Sequence, residues 1–179
     1  HPRKPMTVHI PNIYPTLPDK PDAEMIARYR EDGYLAFLNV LTPEEVSAAS
    51  NGINELVRKY AFNEELTEHV NKGYGQKMVN GRGTLFKSRT SDFHFQVEGD
   101  YEPKPDRLDE LADNIRKFQS YTNELPIYEY IATKHPKLRA LLGAVLGEDY
   151  EQYSSMALCK PAGIGQAKPW HQDLAYFAV

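Results

Sequence analysis

The sequence predicts an α+β fold, a helical N-terminal region that leads into a β-rich unit. Three observations predict it. Apolar residues between 43 and 60 recur at helical spacing behind a strong start signal. Further helical patterns follow between 106 and 146, each closed by a breaker. From Glu151 the texture changes to short apolar runs around a glycine-containing loop. With 179 residues, the chain has length for one domain with a sizeable core and not for two comfortable ones. Residues 1–179 are therefore expected to form a single domain.

Taken in order, residues 1–20 are proline-rich and aperiodic, and an extended, surface-draped N-terminal arm is expected. Asp22 can cap a short helix carrying Met25, Ile26 and Tyr29, which Gly33 closes. Residues 34–38 form a short apolar strand. Thr42-Pro43-Glu44-Glu45 then starts a helix: Thr42 is the N-cap, Pro43 suits the first turn, and Glu45 can reach back as a capping box. Its apolar stripe is Val46, Ala49, Ile53, Leu56, Val57 and Tyr60.

Residues 71–104 are rich in glycine and polar side chains, with a strand at 84–86. A helix over 106–120 is expected from Leu108, Leu111, Ile115 and Phe118. Shorter helices follow at 127–132 and, after Pro136, at 138–146, closed by Gly147. Residues 151–160 and 168–177 read as strands, with the loop 161–165 between them. The chain lacks an initiator methionine, and 174–179 is an apolar strand-like run with no turn or polar tail after it. The expectation is a domain truncated within its β-rich part.

The formal net charge is −4 and the charges are interspersed, which gives no footprint for nucleic acid or an anionic membrane. No apolar run approaches the roughly 18–20 residues that span a bilayer. The single cysteine, Cys159, excludes an internal disulfide and a thiolate zinc site, and fits a cytoplasmic protein. Gly73-Tyr74-Gly75 and Gly81-Arg82-Gly83 lack the strand and helix flanks of a phosphate-binding loop. Ser154-Ser155 has no elbow and no adjacent base, so no catalytic nucleophile is expected.

The chemistry concentrates at His171 and Asp173. Residues two apart on a strand point to the same face, so an imidazole and a carboxylate project together, with Gln172 opposite. With a third ligand from elsewhere they would make a two-histidine-one-carboxylate set, which leaves open positions on Fe(II). The tripeptide alone recurs by chance in a chain with 6 histidines, where a solvent-facing or hydrogen-bonded histidine is the commoner use.

Its context is more specific. Ser155-Met156-Ala157-Leu158-Cys159-Lys160-Pro161, a glycine-containing loop and then Pro169-Trp170-His171-Gln172-Asp173-Leu174-Ala175-Tyr176-Phe177 resemble the phytanoyl-CoA dioxygenase family. The N-terminal half agrees in kind: Tyr29-Arg30-Glu31-Asp32-Gly33-Tyr34, a strand, then Leu41-Thr42-Pro43-Glu44-Glu45-Val46. The resemblance implies a non-haem Fe(II), 2-oxoglutarate-dependent dioxygenase acting with O2 on a small organic molecule. It also implies that the β-rich part is the first strands of a double-stranded β-helix (jelly-roll).

On this resemblance, His171 and Asp173 bind Fe(II). Met156 lines the 2-oxoglutarate pocket, a role compatible with core filling, and Lys117 holds a cosubstrate carboxylate unless it is a solvated helix lysine. The second iron histidine and the arginine for the distal 2-oxoglutarate carboxylate are implied on strands after Val179, so the chain alone is expected to be inactive. Asp173 favours hydroxylation over halogenation, which would need a small residue there to admit chloride.

The segment 71–104 is the expected substrate mouth, with Lys87 and with Arg89 and His94 as substrate-binding candidates. His94 may instead sit structurally beside a loop, as motif statistics favour. His69 and His135 read as surface residues in or beside helices, and Lys160, Pro161, Trp170 and Tyr176 as structural or packing residues. Two other readings compete: a non-catalytic jelly-roll relative that binds a ligand, and a cupin-like site holding manganese or zinc.

Overall fold

The computed structural model describes residues 13–71, 84–99, 101–165 and 170–172. The chain divides into two compact units, His1–Gly52 with Thr122–Tyr153, and Ile53–Tyr121 with Ser154–Val179.

In the first unit, β1 (Ile13–Tyr14) pairs in parallel with β2 (Ala36–Phe37), and the Tyr14 and Phe37 rings stack at 5.3 Å. Of the proposed arm, residues 13–20 are described. They include this strand and Leu17, which is fully buried. Between the strands, α1 (Ala23–Asp32) begins where Asp22 Oδ1 accepts the Met25 N–H at 2.8 Å. It ends at Gly33, whose φ of 78° is the left-handed conformation that a residue without Cβ adopts freely.

The helix α2 (Pro43–Tyr60) starts with a complete capping box. The Glu45 N–H donates to Thr42 Oγ1 at 3.2 Å, and the Thr42 N–H donates to Glu45 Oε2 at 2.8 Å. The unit is completed by α4 (Pro126–Glu129), a π-helical turn (Tyr130–Lys134) and α5 (Pro136–Leu146). His135 is a correction to the sequence reading. It is buried, and its Nδ1 accepts the Leu138 N–H at 3.3 Å as the cap of α5. A proline at the first helical position removes one orphan donor, and the imidazole satisfies another.

The second unit is built on a five-stranded antiparallel sheet in the order β3 (Thr67–Asn71), β4 (Thr84–Ser88), β5 (His94–Val97), β6 (Ile115–Gln119), β7 (Met156–Leu158). One cross-strand row aligns Phe86, Phe95, Phe118 and Ala157. The three rings follow one another at 4.7 and 5.6 Å and are fully buried. Tyr60 from the end of α2 meets Phe93 at 4.7 Å beside them, with Leu56 and Val57 buried on the same helix. Each such ring contributes about 1.5–3 kcal/mol by leaving water, so this face is the unit's core.

The helix expected over 106–120 is not formed. Residues 108–113 make a single short helix, α3 (Leu108–Asp113), and after Asn114 the chain becomes β6. The cause is a β-bulge: Gln96 pairs with Lys117 but Val97 pairs with Ile115, which leaves Arg116 as the extra residue. Ile115 and Phe118, three apart, are therefore both buried on a strand, a spacing that imitates the helical period. His69, expected in or beside a helix, lies on β3 opposite Phe86. The strand expected over 168–177 falls mostly outside the described residues, and 170–172, which are described, are not strand. No described helix is long and apolar enough to cross a membrane.

Candidate functional site

Side chains directly opposite each other in an antiparallel sheet share a face, and neighbours along a strand alternate between faces. The residues flanking the phenylalanine row therefore lie on the opposite side of the sheet. They form two rows, Lys87–His94–Gln119–Met156 and Leu85–Gln96–Lys117–Leu158. Burial agrees with this assignment. Leu85 and Gln96 are covered, His94, Lys117 and Gln119 are half-buried, and Lys87, Met156 and Leu158 are exposed.

Three residues singled out from widely separated stretches of sequence thus stand on one face of one sheet. Lys117 is on β6 and its Nζ donates to Gln119 Oε1 at 3.2 Å. Met156 opens β7, opposite Gln119, and is 50% exposed, so it is not the core filler that a strand methionine suggests. His94 opens β5 directly after the loop that joins it to β4, opposite both Lys87 and Gln119. Its Nδ1 lies 3.0 Å from the Asp92 carbonyl oxygen. A carbonyl only accepts, so Nδ1 carries the proton of this hydrogen bond.

Arg89 stands just beyond the Ser88 end of β4. Its Nε donates to the Glu64 carbonyl at 3.1 Å and its backbone N–H to the Leu66 carbonyl at 2.9 Å, which ties this end of the sheet to the turn before β3. His171 and Gln172 are exposed. Trp170, expected to pack, is fully exposed. Asp173 and Tyr176 lie outside the described residues.

An iron ion would need nitrogen and hard oxygen donors. His171 is exposed, and an imidazole with a carboxylate, as in the His171–Asp173 pair, is the donor chemistry that Fe(II) takes. Among the described residues, no three His, Cys, Asp or Glu side chains come together as a ready cluster.

The residue that sequence reasoning missed is Gln119. On a helix it would lie away from Lys117, since residues two apart do not face each other there. On a strand the same spacing puts them side by side. The signal was available only once 115–119 was known to be extended.

A mixed helix and sheet fold with a half-open polar sheet face and an exposed H-x-D histidine is a frame for a ligand-binding or enzymatic protein. The family is settled by comparison. A family model, phytanoyl-CoA dioxygenase (PhyH), matches residues 29–179, and the chain belongs to this family. The family is generally one of Fe(II)- and 2-oxoglutarate-dependent oxygenases. No curated protein and no solved structure matches the chain.

Proposed function

We propose that this chain belongs to a cytoplasmic, non-haem Fe(II), 2-oxoglutarate-dependent dioxygenase that hydroxylates a small organic substrate. Family membership across residues 29–179 is the observation that carries the reading. In it, His171 and Asp173 hold the metal, Lys117 and Met156 meet the cosubstrate, and His94, with Arg89 near the same end of the sheet, serves the substrate. The common face of Lys117, Met156 and His94 supports that division. A double-stranded β-helix is what family membership implies for the whole enzyme, and the antiparallel sheet β3 to β7 is the part of its β-structure described in this chain.

When bound, iron and 2-oxoglutarate supply the oxidising chemistry: the cosubstrate loses CO2 and becomes succinate, one atom of O2 entering succinate and the other the substrate's C–H bond. The chain's own residues bind and orient. Lys117 offers a cation to a carboxylate on a face where its stem is half-buried and therefore loses little freedom on binding. His94 stands on the same face, with its Nδ1 held at the Asp92 carbonyl, and contributes its ring to the substrate side.

Anaerobic binding tests this directly. Fe(II) with 2-oxoglutarate is expected to give the visible charge-transfer band of their chelate with the protein. His171→Ala and Asp173→Ala should each weaken metal binding by more than about 100-fold, since even supporting residues of metal sites cost 10–100-fold. Iron binding that survives both substitutions would place the metal elsewhere. No iron-dependent succinate formation from 2-oxoglutarate by the full-length protein, with His171 and Asp173 intact, would favour a non-catalytic relative, and tighter binding of zinc or manganese, with no charge-transfer band, would favour a cupin-like metal site.

A further inference from the structure

We propose that Gln119 is a positioning residue for the cosubstrate, holding the Lys117 ammonium toward the His94–Met156 row. The inference rests on the reading of Lys117 as a cosubstrate residue. The geometry behind it is specific. In register, Lys117 faces Gln96 and Leu158, not Met156. The side chain opposite Met156 is Gln119, which is also opposite His94.

The two residues assigned to the cosubstrate therefore belong to different rows, about two residues, or roughly 6–7 Å, apart along the strand. The hydrogen bond from Lys117 Nζ to Gln119 Oε1 at 3.2 Å spans that gap. A lysine side chain has many rotamers, and each fixed partner narrows the set it occupies. The amide oxygen of Gln119 selects the rotamers that lean along β6 toward Met156. It does so without neutralising the charge, as a carboxylate at that position would.

The test is a double-mutant cycle read by calorimetric titration of 2-oxoglutarate into the full-length protein loaded anaerobically with Mn(II), a redox-inert stand-in for iron. The variants are Lys117→Met, Gln119→Met and the two together, with Mn(II) affinity and circular dichroism recorded for each. Gln119→Met is expected to weaken 2-oxoglutarate about tenfold, the order of a hydrogen bond to a charged group, with Mn(II) affinity unchanged. The double variant is expected to be no weaker than Lys117→Met, because Gln119 acts only through the lysine.

Wild-type affinity in Gln119→Met, while Lys117→Met is impaired, overturns the positioning role and leaves the cosubstrate reading standing. Losses that multiply in the double variant overturn it too, since two independent contacts would behave that way. Wild-type affinity in Lys117→Met removes the cosubstrate reading and this inference with it. Should Gln119→Met not fold, Gln119→Thr, a good strand former without the reach to Lys117, takes its place in the same cycle.

Discussion

At the N-terminus of α2 two side chains fix each other by two hydrogen bonds, and the chemistry of that pair is sensitive to acid. The Thr42 backbone N–H holds the Glu45 carboxyl below the usual carboxylate range, with further help from the nearby His135 imidazole and Tyr130 hydroxyl, against a smaller upward push from burial. A lowered folded-state value means that the unfolded chain binds the proton more tightly, so stability rises with pH through this window. The contribution is complete above the ordinary carboxyl value of 4.5 and is lost as pH falls through the lowered folded value. Glu45→Gln should therefore lower Tm near neutral pH and converge on the wild type in acid. Melting curves of both proteins at about pH 7 and about pH 3 check this, and a difference that does not shrink in acid would show that the carboxylate charge is not what matters. Thr42→Ala removes the other half of the box and should cost about 1 kcal/mol in a urea titration. The box was legible in the sequence because all of its atoms lie within four residues.

Elements were legible to the extent that their determinants were local. Both ends of α1, the start of α2 and the closure of α5 at Gly147 follow from caps a few residues long. The strand β6 was not legible, because what makes it a strand is its pairing with β5 and β7, and the bulge at Gln96/Val97 gave it a helical spacing of apolar residues. The candidate site suffered from the same cause. Lys117, Met156 and His94 could each be named from sequence, but that they share a face depends on register between strands up to 62 residues apart, from His94 to Met156. Packing between elements gives a prediction of its own at Gly52, in the middle of α2. A Cβ there would stand 2.6 Å from the Tyr128 hydroxyl oxygen and 3.0 Å from Leu125 Cδ1. The same hydroxyl donates to the Ala49 carbonyl at 2.8 Å and cannot retreat without giving up that bond. Alanine gains about 1 kcal/mol over glycine in a helix interior, whereas overpacking costs about 1–3 kcal/mol and the lost hydrogen bond about 1 more. The clash prevails, and Gly52→Ala should destabilise the protein by about 1–3 kcal/mol in a urea titration. A stabilised variant would show that Tyr128 gives way freely.

Across the whole chain, stability and ligand binding are linked, and the linkage separates an oxygenase from a relative that has kept only the fold. A ligand that binds the folded state alone stabilises it by about 2.7 kcal/mol at a hundredfold excess over its Kd. For a chain of this length each kcal/mol moves Tm by roughly 2–4 °C, so a saturated site should raise Tm by about 5–10 °C. The proposed residues divide that shift between them. Mn(II) alone should raise Tm through His171 and Asp173, and 2-oxoglutarate should add a second increment that requires the metal, since the cosubstrate chelates it. Chelator should return Tm to the value of the metal-free protein. His171→Ala should abolish both increments, while Lys117→Met should keep the first and lose most of the second. The order of these losses is the informative part. A 2-oxoglutarate increment that persists in His171→Ala would mean that the cosubstrate binds the polar sheet face without a metal, which is what a ligand-binding relative would do and a dioxygenase would not.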